Sequence, residues 1–356
     1  MIVPSSTSSS NSVPPNGSVK PWLLALVLAV GVLAGLEALA RSNGHRPSVA
    51  DDAQLWSYWR KQASSEDSRT VALIGGSKIE LGFSPATFKQ IYPEYALVQL
   101  AVNGTQPVAS LRDLAADSSF RGVVICDATE QSLEKEYWDS QEHLVRQYRA
   151  GAPLDAGLNL RASLFVQTNF AMAGPFLNLA KIGAVAVASR RFRAPYHVTT
   201  FPDRSQEADF RKIHDLTAFH EQHVRRVRAT EYPDTTPEQW LASFRTVDAM
   251  AAQVRARGGK VVFLRMPIGP ALSKSLDHRY PRRLYWDAAI ARSRSVFVRA
   301  DDYPALSDFN VPDEAHLDFR DTPRFTRALA CVLGSKGVLP QKVPTDACPA
   351  VNATVR

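Results

Sequence analysis

The sequence predicts an α/β fold, a three-layer sandwich around a parallel sheet, preceded by one helix long enough to cross a membrane. Short apolar runs recur along the chain, each bounded by charged or turn residues: Val71–Ile74, Leu97–Val102, Gly122–Cys126, Lys260–Arg265 and Val296–Ala300. Helical patterns such as Pro85–Ile91 and Gln106–Ala116 separate most of them. Strands alternating with helices imply right-handed crossovers and a sheet of about five strands covered on both faces. Pro21 to Ala40 is an almost unbroken apolar run of about bilayer-spanning length.

From the N-terminus, residues 1–20 are rich in Ser, Pro and Asn and read as a disordered tail. Residues 21–41 form the expected membrane anchor, in which Glu37 is the only acidic residue. Lys20 precedes the run while Arg41 and Arg46 follow it, so flanking charge does not set orientation. A cleavable signal peptide, cut among Ala38, Ala40 and Ser42, is the competing reading, and an uncleaved anchor is the one favoured. Either segment directs export, placing the domain in the periplasm or outside, on a single-pass inner-membrane tether. Residues 42–69 form a polar connector in which Leu55–Arg60 makes a short helix carrying aromatics.

The α/β domain is expected over residues 70–335, with a C-terminal tail over 336–356. The gap between the third and fourth strands is too long for one crossover. Residues 129–256 therefore read as a helical insertion, a cap over the active face, with helices at Glu134–Arg149, Phe170–Ala188, Ile213–Arg228 and Pro237–Arg255. Pro175 and Lys181 argue against a second membrane span at Phe176–Val187. His220 and His223 stand among Arg225, Arg226 and Arg228, which marks a solvated helix face rather than a metal site.

Of the 356 residues, 45% are hydrophobic and 22% charged, enough for a real core. The net charge of +7 comes with arginines scattered through the second half rather than bunched in a stripe; a solvated basic surface is the favoured reading, an anionic surrounding such as a membrane face or acidic polymer is the alternative, and no nucleic-acid partner is expected. Of the three cysteines, Cys126 falls in an apolar run. Cys331 and Cys348 are placed to pair in an oxidising compartment. With no phosphate loop and no metal-ligand spacing, no cofactor is expected.

Two loops carry the chemistry. Gly75-Gly76-Ser77 follows the first strand, where open α/β sheets bind their ligands. The glycines allow a tight turn, and a helix beginning just past Ser77 directs free N–H groups at a developing oxyanion. Asp313-Glu314-Ala315-His316 stands ahead of the last helix, whose start is marked by Thr322, as N-cap, and Pro323. Asp-x-x-His lets a carboxylate fix one imidazole nitrogen while the other takes a proton from a serine. A serine hydroxyl needs such a base to act as a nucleophile.

Together these blocks resemble the SGNH (GDSL-like) hydrolase superfamily, in which the nucleophile follows the first strand and Asp-x-x-His precedes the last helix. The resemblance covers about Val71–Ala128 and Lys260–Leu333. With the N-terminal anchor, the layout looks most like membrane-tethered members related to the acyltransferase-like proteins of bacterial alginate acetylation. It implies a flavodoxin-like five-stranded sheet and a catalytic Ser77, His316 and Asp313. It also implies an oxyanion site from the N–H groups of Ser77 and Gly104. The third family block, which supplies an asparagine after the third strand, is missing: Val124 to Thr129 contains none. Asn103 or a residue of the insertion is the candidate replacement, and Asp127 at the mouth would oppose an oxyanion.

The activity implied is ester hydrolysis or O-acyl transfer on acyl groups of an envelope polysaccharide, with a membrane acyl donor as possible partner. Arg265, Arg279, Tyr285 and Trp286 offer guanidinium and aromatic groups suited to sugar rings or anionic polymer, with a basic loop held by two anchoring aromatics as the equal alternative. The rival expectation, supported by the missing asparagine, is a catalytically silent module that binds glycan or scaffolds a membrane assembly.

Overall fold

The computed structural model describes residues 19–64, 66–151, 156–175, 196–344, 346 and 348. Most of the expected N-terminal tail, the apolar stretch Phe176–Val187 and the end of the C-terminal tail lie outside the described residues. Helix α1 (Val19–Ser42) is apolar, solvent-facing on nearly all sides, and long enough to cross a membrane. Helix α2 (Ala53–Ala63) extends the expected Leu55–Arg60 segment because the Asp52 carboxylate caps it, accepting from Gln54 and Leu55 N–H at 3.0 and 2.9 Å. Its Trp56 is buried and donates to the Leu100 carbonyl at 3.1 Å.

The domain then runs β1 (Thr70–Ile74), α3 (Ser77–Gly82), α4 (Pro85–Ile91), β2 (Ala96–Gln99), α5 (Val108–Ala116), β3 (Val123–Asp127), α6 (Glu142–Ala150) and α7 (Ala156–Asn169). It continues through β4 (Val198–Thr200), β5 (Gln206–Ala208), α8 (Leu216–Arg228), α9 (Pro237–Ala256), β6 (Lys260–Arg265), α10 (Pro270–Arg279), α11 (Trp286–Ile290), β7 (Val296–Arg299), α12 (Pro304–Ser307) and α13 (Thr322–Ser335). The main sheet has five strands in the order β2-β1-β3-β6-β7, every neighbouring pair parallel.

Alternation along β1 builds the two layers. Ala72 and Ile74 pack into the core shared with α2, α5 and α9, while Val71 and Leu73 pack into the core shared with α4 and α13. The connection leaving β1 runs to β2 on one side and the one leaving β3 runs to β6 on the other, so the sheet changes direction between β1 and β3, the place where such sheets open a crevice at their carboxyl ends. Ser77 follows there.

Some boundaries differ from expectation. β2 ends at Gln99 rather than Val102, although Leu100 and Val102 N–H still donate to the Leu73 and Gly75 carbonyls at 2.8 and 3.1 Å; on the outer side the buried Arg204 guanidinium holds the Gln99 and Ala101 carbonyls at 2.7 and 3.1 Å. The Glu134–Arg149 segment starts as tight turns at Gln131–Leu133 and Lys135–Tyr137 and becomes helical only at Glu142. The insertion is not wholly helical. β4 and β5 form an antiparallel pair whose tip holds Arg204 at φ 64°, an alternation too short to stand out in sequence. The expected Phe170–Ala188 helix is a turn at Ala171–Ala173 where it is described, and the preceding helix α7 was not expected.

Candidate active site

The turn after β1 depends on its two glycines. Gly75 has φ 153°, and a Cβ there would lie 2.7 Å from the Asp127 Cβ. A Cβ on Gly76 would lie 2.7 Å from the Thr105 carbonyl oxygen. Both sites therefore admit only hydrogen, and the chain passes tightly between β3 and the loop after β2. Buried Gln141 fastens this turn, donating to the Gly75 carbonyl at 3.0 Å and to Thr105 Oγ1 at 2.9 Å. Ser77 opens α3, half-buried and facing the crevice.

The partner loop is built just as tightly. Asp313 Oδ1 accepts from the Ala315 and His316 N–H groups at 3.1 and 2.8 Å, folding Asp313–His316 into a compact turn. Glu314, at φ 71°, swings the other way and caps α10, accepting from Ala271 and Leu272 N–H at 2.7 and 3.0 Å. Its backbone carbonyl also holds Gly269 N–H at 2.9 Å. From the insertion, His220 Nδ1 donates to the Pro312 carbonyl at 3.0 Å. The loop is thus pinned from both flanks.

These two loops, 239 positions apart, meet. His316 Nε2 lies 2.7 Å from Ser77 Oγ, and His316 Nδ1 lies 2.6 Å from Asp313 Oδ2. The Asp313 side chain is 6% exposed and that of His316 19%, so the pair is shielded while the imidazole still reaches the crevice. Burial pushes the Asp313 carboxyl up, but its hydrogen bond to His316, the imidazole charge and the two backbone N–H groups outweigh this and hold it below the usual carboxylate range. An ionised Asp313 fixes the His316 tautomer with a proton on Nδ1, leaving Nε2 to receive the serine proton.

The second-strand loop runs beside Ser77. Val102 N–H donates to the Gly75 carbonyl at 3.1 Å, and Asn103 and Gly104, at φ 75°, are exposed just beyond. No asparagine comes from β3. Asp127 is not at the mouth as expected: it is buried behind Gly75, and the N–H groups of Gly76, Ile79 and Met266 are directed at its carboxyl. Burial raises its proton affinity, and Lys78 and those N–H groups only partly offset that.

Three expected ligand-binding residues are corrected. Arg265 is fully buried and paired with Asp301, Asp277 and Glu130. Tyr285 and Trp286 are buried in the core, Trp286 edge-on against Phe297. None of them presents a surface to a glycan, because Arg265 at the end of β6 and the aromatics Tyr280, Tyr285 and Trp286 beyond it turn inward to close that layer. Arg279 is committed to the backbone, donating to the Pro233 and Thr235 carbonyls. Cys331 and Cys348 form a disulfide, and Cys126 is a buried free thiol. His223 Nδ1 turns to the Phe219 carbonyl at 2.8 Å.

Glu80 escaped the sequence reading. It is fully buried one turn beyond Ser77, where Gln206 of the β4–β5 hairpin donates to it at 3.0 Å and the Asn103 N–H is directed at it. Burial, then the nearby Asp51 carboxylate, raises its proton affinity well above a normal glutamate, against the pull of Arg204. In sequence nothing local distinguishes this Glu, at the fourth position of α3, from an ordinary helix residue.

The chain matches no protein-family model and no curated protein. Among solved structures it is similar to one titled "Crystal Structure of TesA", with 13% identity and a TM-score of 0.35, over 76% of this chain and 99% of that one. A likeness so distant carries no argument about family or chemistry.

Proposed function

We propose that this chain is an SGNH-like serine ester hydrolase or O-acyltransferase, tethered to a membrane by α1. The observation that carries the reading is the hydrogen-bonded line from Ser77 Oγ through the His316 imidazole to the Asp313 carboxylate. Ser77 Oγ attacks the ester carbonyl carbon as His316 Nε2 takes its proton. The resulting imidazolium is stabilised by Asp313. Collapse of the tetrahedral species breaks the bond to the leaving alcohol, which receives the proton from His316, and leaves an acyl group on Ser77. Water or an acceptor hydroxyl, deprotonated by the same imidazole, then takes the acyl group and frees the serine.

The N–H groups of Ser77 and Gly104 are the proposed oxyanion donors. Their support is the run of the second-strand loop alongside the Gly75–Ser77 turn. Without the asparagine of the family pattern the hole is poorer, and loss of one such donor costs on the order of a hundredfold or more in rate. Exposed Asn103 is the proposed substitute. An acyl ester of a cell-envelope glycan, handled outside the cytoplasm on the inner membrane with a membrane acyl donor, is the substrate setting that the family resemblance suggests. The buried Arg265, Tyr285 and Trp286 lend it no support.

The test is a serine-reactive fluorophosphonate. It should label the wild-type protein and not Ser77→Ala, and turnover of an acetyl ester should fall by at least ~10³-fold in that variant. Labelling that persists in Ser77→Ala overturns the assignment of the nucleophile. No labelling of the wild type, with polysaccharide binding intact in Ser77→Ala, makes the chain a binding module.

A further inference from the structure

Helix α7 is apolar on two opposite sides, and among the described residues only one of them packs against the body of the protein. Leu160 and Leu164 pack with Val49, Leu55 and Trp59, and the Gln167 side chain accepts from Ala50 N–H at 2.9 Å. Half a turn of the helix away, Leu158 is 74% exposed, Phe165 67% and Val166 43%. At 3.6 residues per turn these three share one stripe, centred opposite Leu160 and Leu164. A soluble surface rarely leaves large side chains this bare in a contiguous row.

The place of this stripe is set by α1. Glu37, the acidic residue of the membrane-length run, accepts from the Ala171 and Met172 N–H groups at 2.9 and 3.0 Å. Arg41 donates to the Asn169 carbonyl at 2.8 Å. Phe170, 41% exposed, lies between these ties. The carboxyl end of α7 is therefore fastened to the last turns of the helix that would enter the bilayer, on the side where α1 leaves it.

We infer that the outward face of α7 is a second membrane contact, lying in the headgroup–acyl boundary beside α1. Leu158, Phe165, Val166 and Phe170 enter the lipid, and exposed Arg161 on the flank of the stripe reaches headgroup phosphates by snorkelling. The inference rests on α1 being membrane-inserted. Two contacts in different directions hold the domain at one tilt, where a single spanning helix would let it swivel.

The test uses full-length protein in vesicles of phosphatidylethanolamine and phosphatidylglycerol. Cys126 is buried and Cys331 and Cys348 are bonded to each other, so an introduced cysteine is the accessible thiol. An environment-sensitive fluorophore is placed in turn at Leu28→Cys in α1, Phe165→Cys in α7 and Leu284→Cys, a 48% exposed residue in the turn between α10 and α11. The positions 28 and 165 should emit to the blue of 284 and be quenched by nitroxide lipids, with 284 quenched by aqueous iodide alone. Iodide quenching at 165 like that at 284, with 28 in lipid, overturns the inference and leaves the anchor standing. Water-like emission at 28 as well removes the anchor and the inference together. A probe at 165 shielded from both quenchers shows that protein, not lipid, covers the face, and also overturns it.

Discussion

Asp313 has a side chain almost out of water, and burial alone would favour its neutral form. The His316 ring and the N–H groups of Ala315 and His316 reverse that balance. Its pH signature follows from the direction of the shift. The folded carboxyl binds its proton less tightly than the unfolded one, so the unfolded chain carries more protons in acid. The stabilisation is complete above the unfolded value near ~3.9 and is lost as pH falls through the lower folded value. Asp313→Asn should flatten that acid limb of the stability curve, read by urea midpoints across pH. The same change presents the wrong partner to Nδ1, and kcat should drop by roughly 10²–10⁴-fold while the fold persists. A variant with full activity would remove Asp313 from the catalytic line.

Between elements, the helix that Ser77 opens is tied to the insertion through a buried polar knot. Glu80 on α3 receives Gln206 from β5, and Arg204 from the β4–β5 turn pairs with Asp51 at 2.6 Å and takes the Gln99 carbonyl at the end of β2. Burial and the Asp51 carboxylate raise the proton affinity of Glu80 well above a normal glutamate, which favours its neutral form, and glutamine is close to an isostere of that form. Its raised folded value means that protonation on folding costs stability as pH climbs from about 4 towards neutral. Glu80→Gln should therefore match or exceed the wild type at pH 7, with the gain shrinking near pH 4.5. Glu80→Ala, which strands the Gln206 amide and leaves a hole, should lose roughly 2–4 kcal/mol. If Gln proves as damaging as Ala, the buried carboxylate is ionised and its bond to Arg204 is what matters. Comparing urea unfolding of both variants at the two pH values decides between them.

Across the whole molecule, a C-terminal clasp closes the layer behind the site. The Cys331–Cys348 bond spans 17 positions and pins the chain after α13 against the core that holds Val338, Leu339 and Val343. Closing a loop of that length removes unfolded-state freedom worth about 3 kcal/mol. Cys331→Ser with Cys348→Ser should lower stability by that order, measured as the drop in unfolding free energy, with the Ser77–His316 geometry and fluorophosphonate labelling retained. Loss of labelling in the folded double variant would mean that the clasp also shapes the active site.

The sequence by itself determined the parallel α/β sheet and the membrane-length helix, which rest on local chemistry: strand-length apolar runs and an unbroken apolar span. Ser77, Asp313 and His316 stand in two short motifs that are weak singly and are joined only by the family resemblance, and the structure brings the three side chains together. Tertiary structure alone decided what faces inward. Tyr285, Trp286 and Arg265 look like a ligand surface in the linear chain, yet they close a core layer. Gln141, Glu80 and Glu314 look like ordinary polar residues, yet they lock the two segments that carry Ser77 and His316. The β4–β5 hairpin was invisible because strands so short are stabilised by Arg204 and by what they pack on, not by their own pattern. Burial of a polar group depends on partners brought from distant parts of the chain, and no local window contains them.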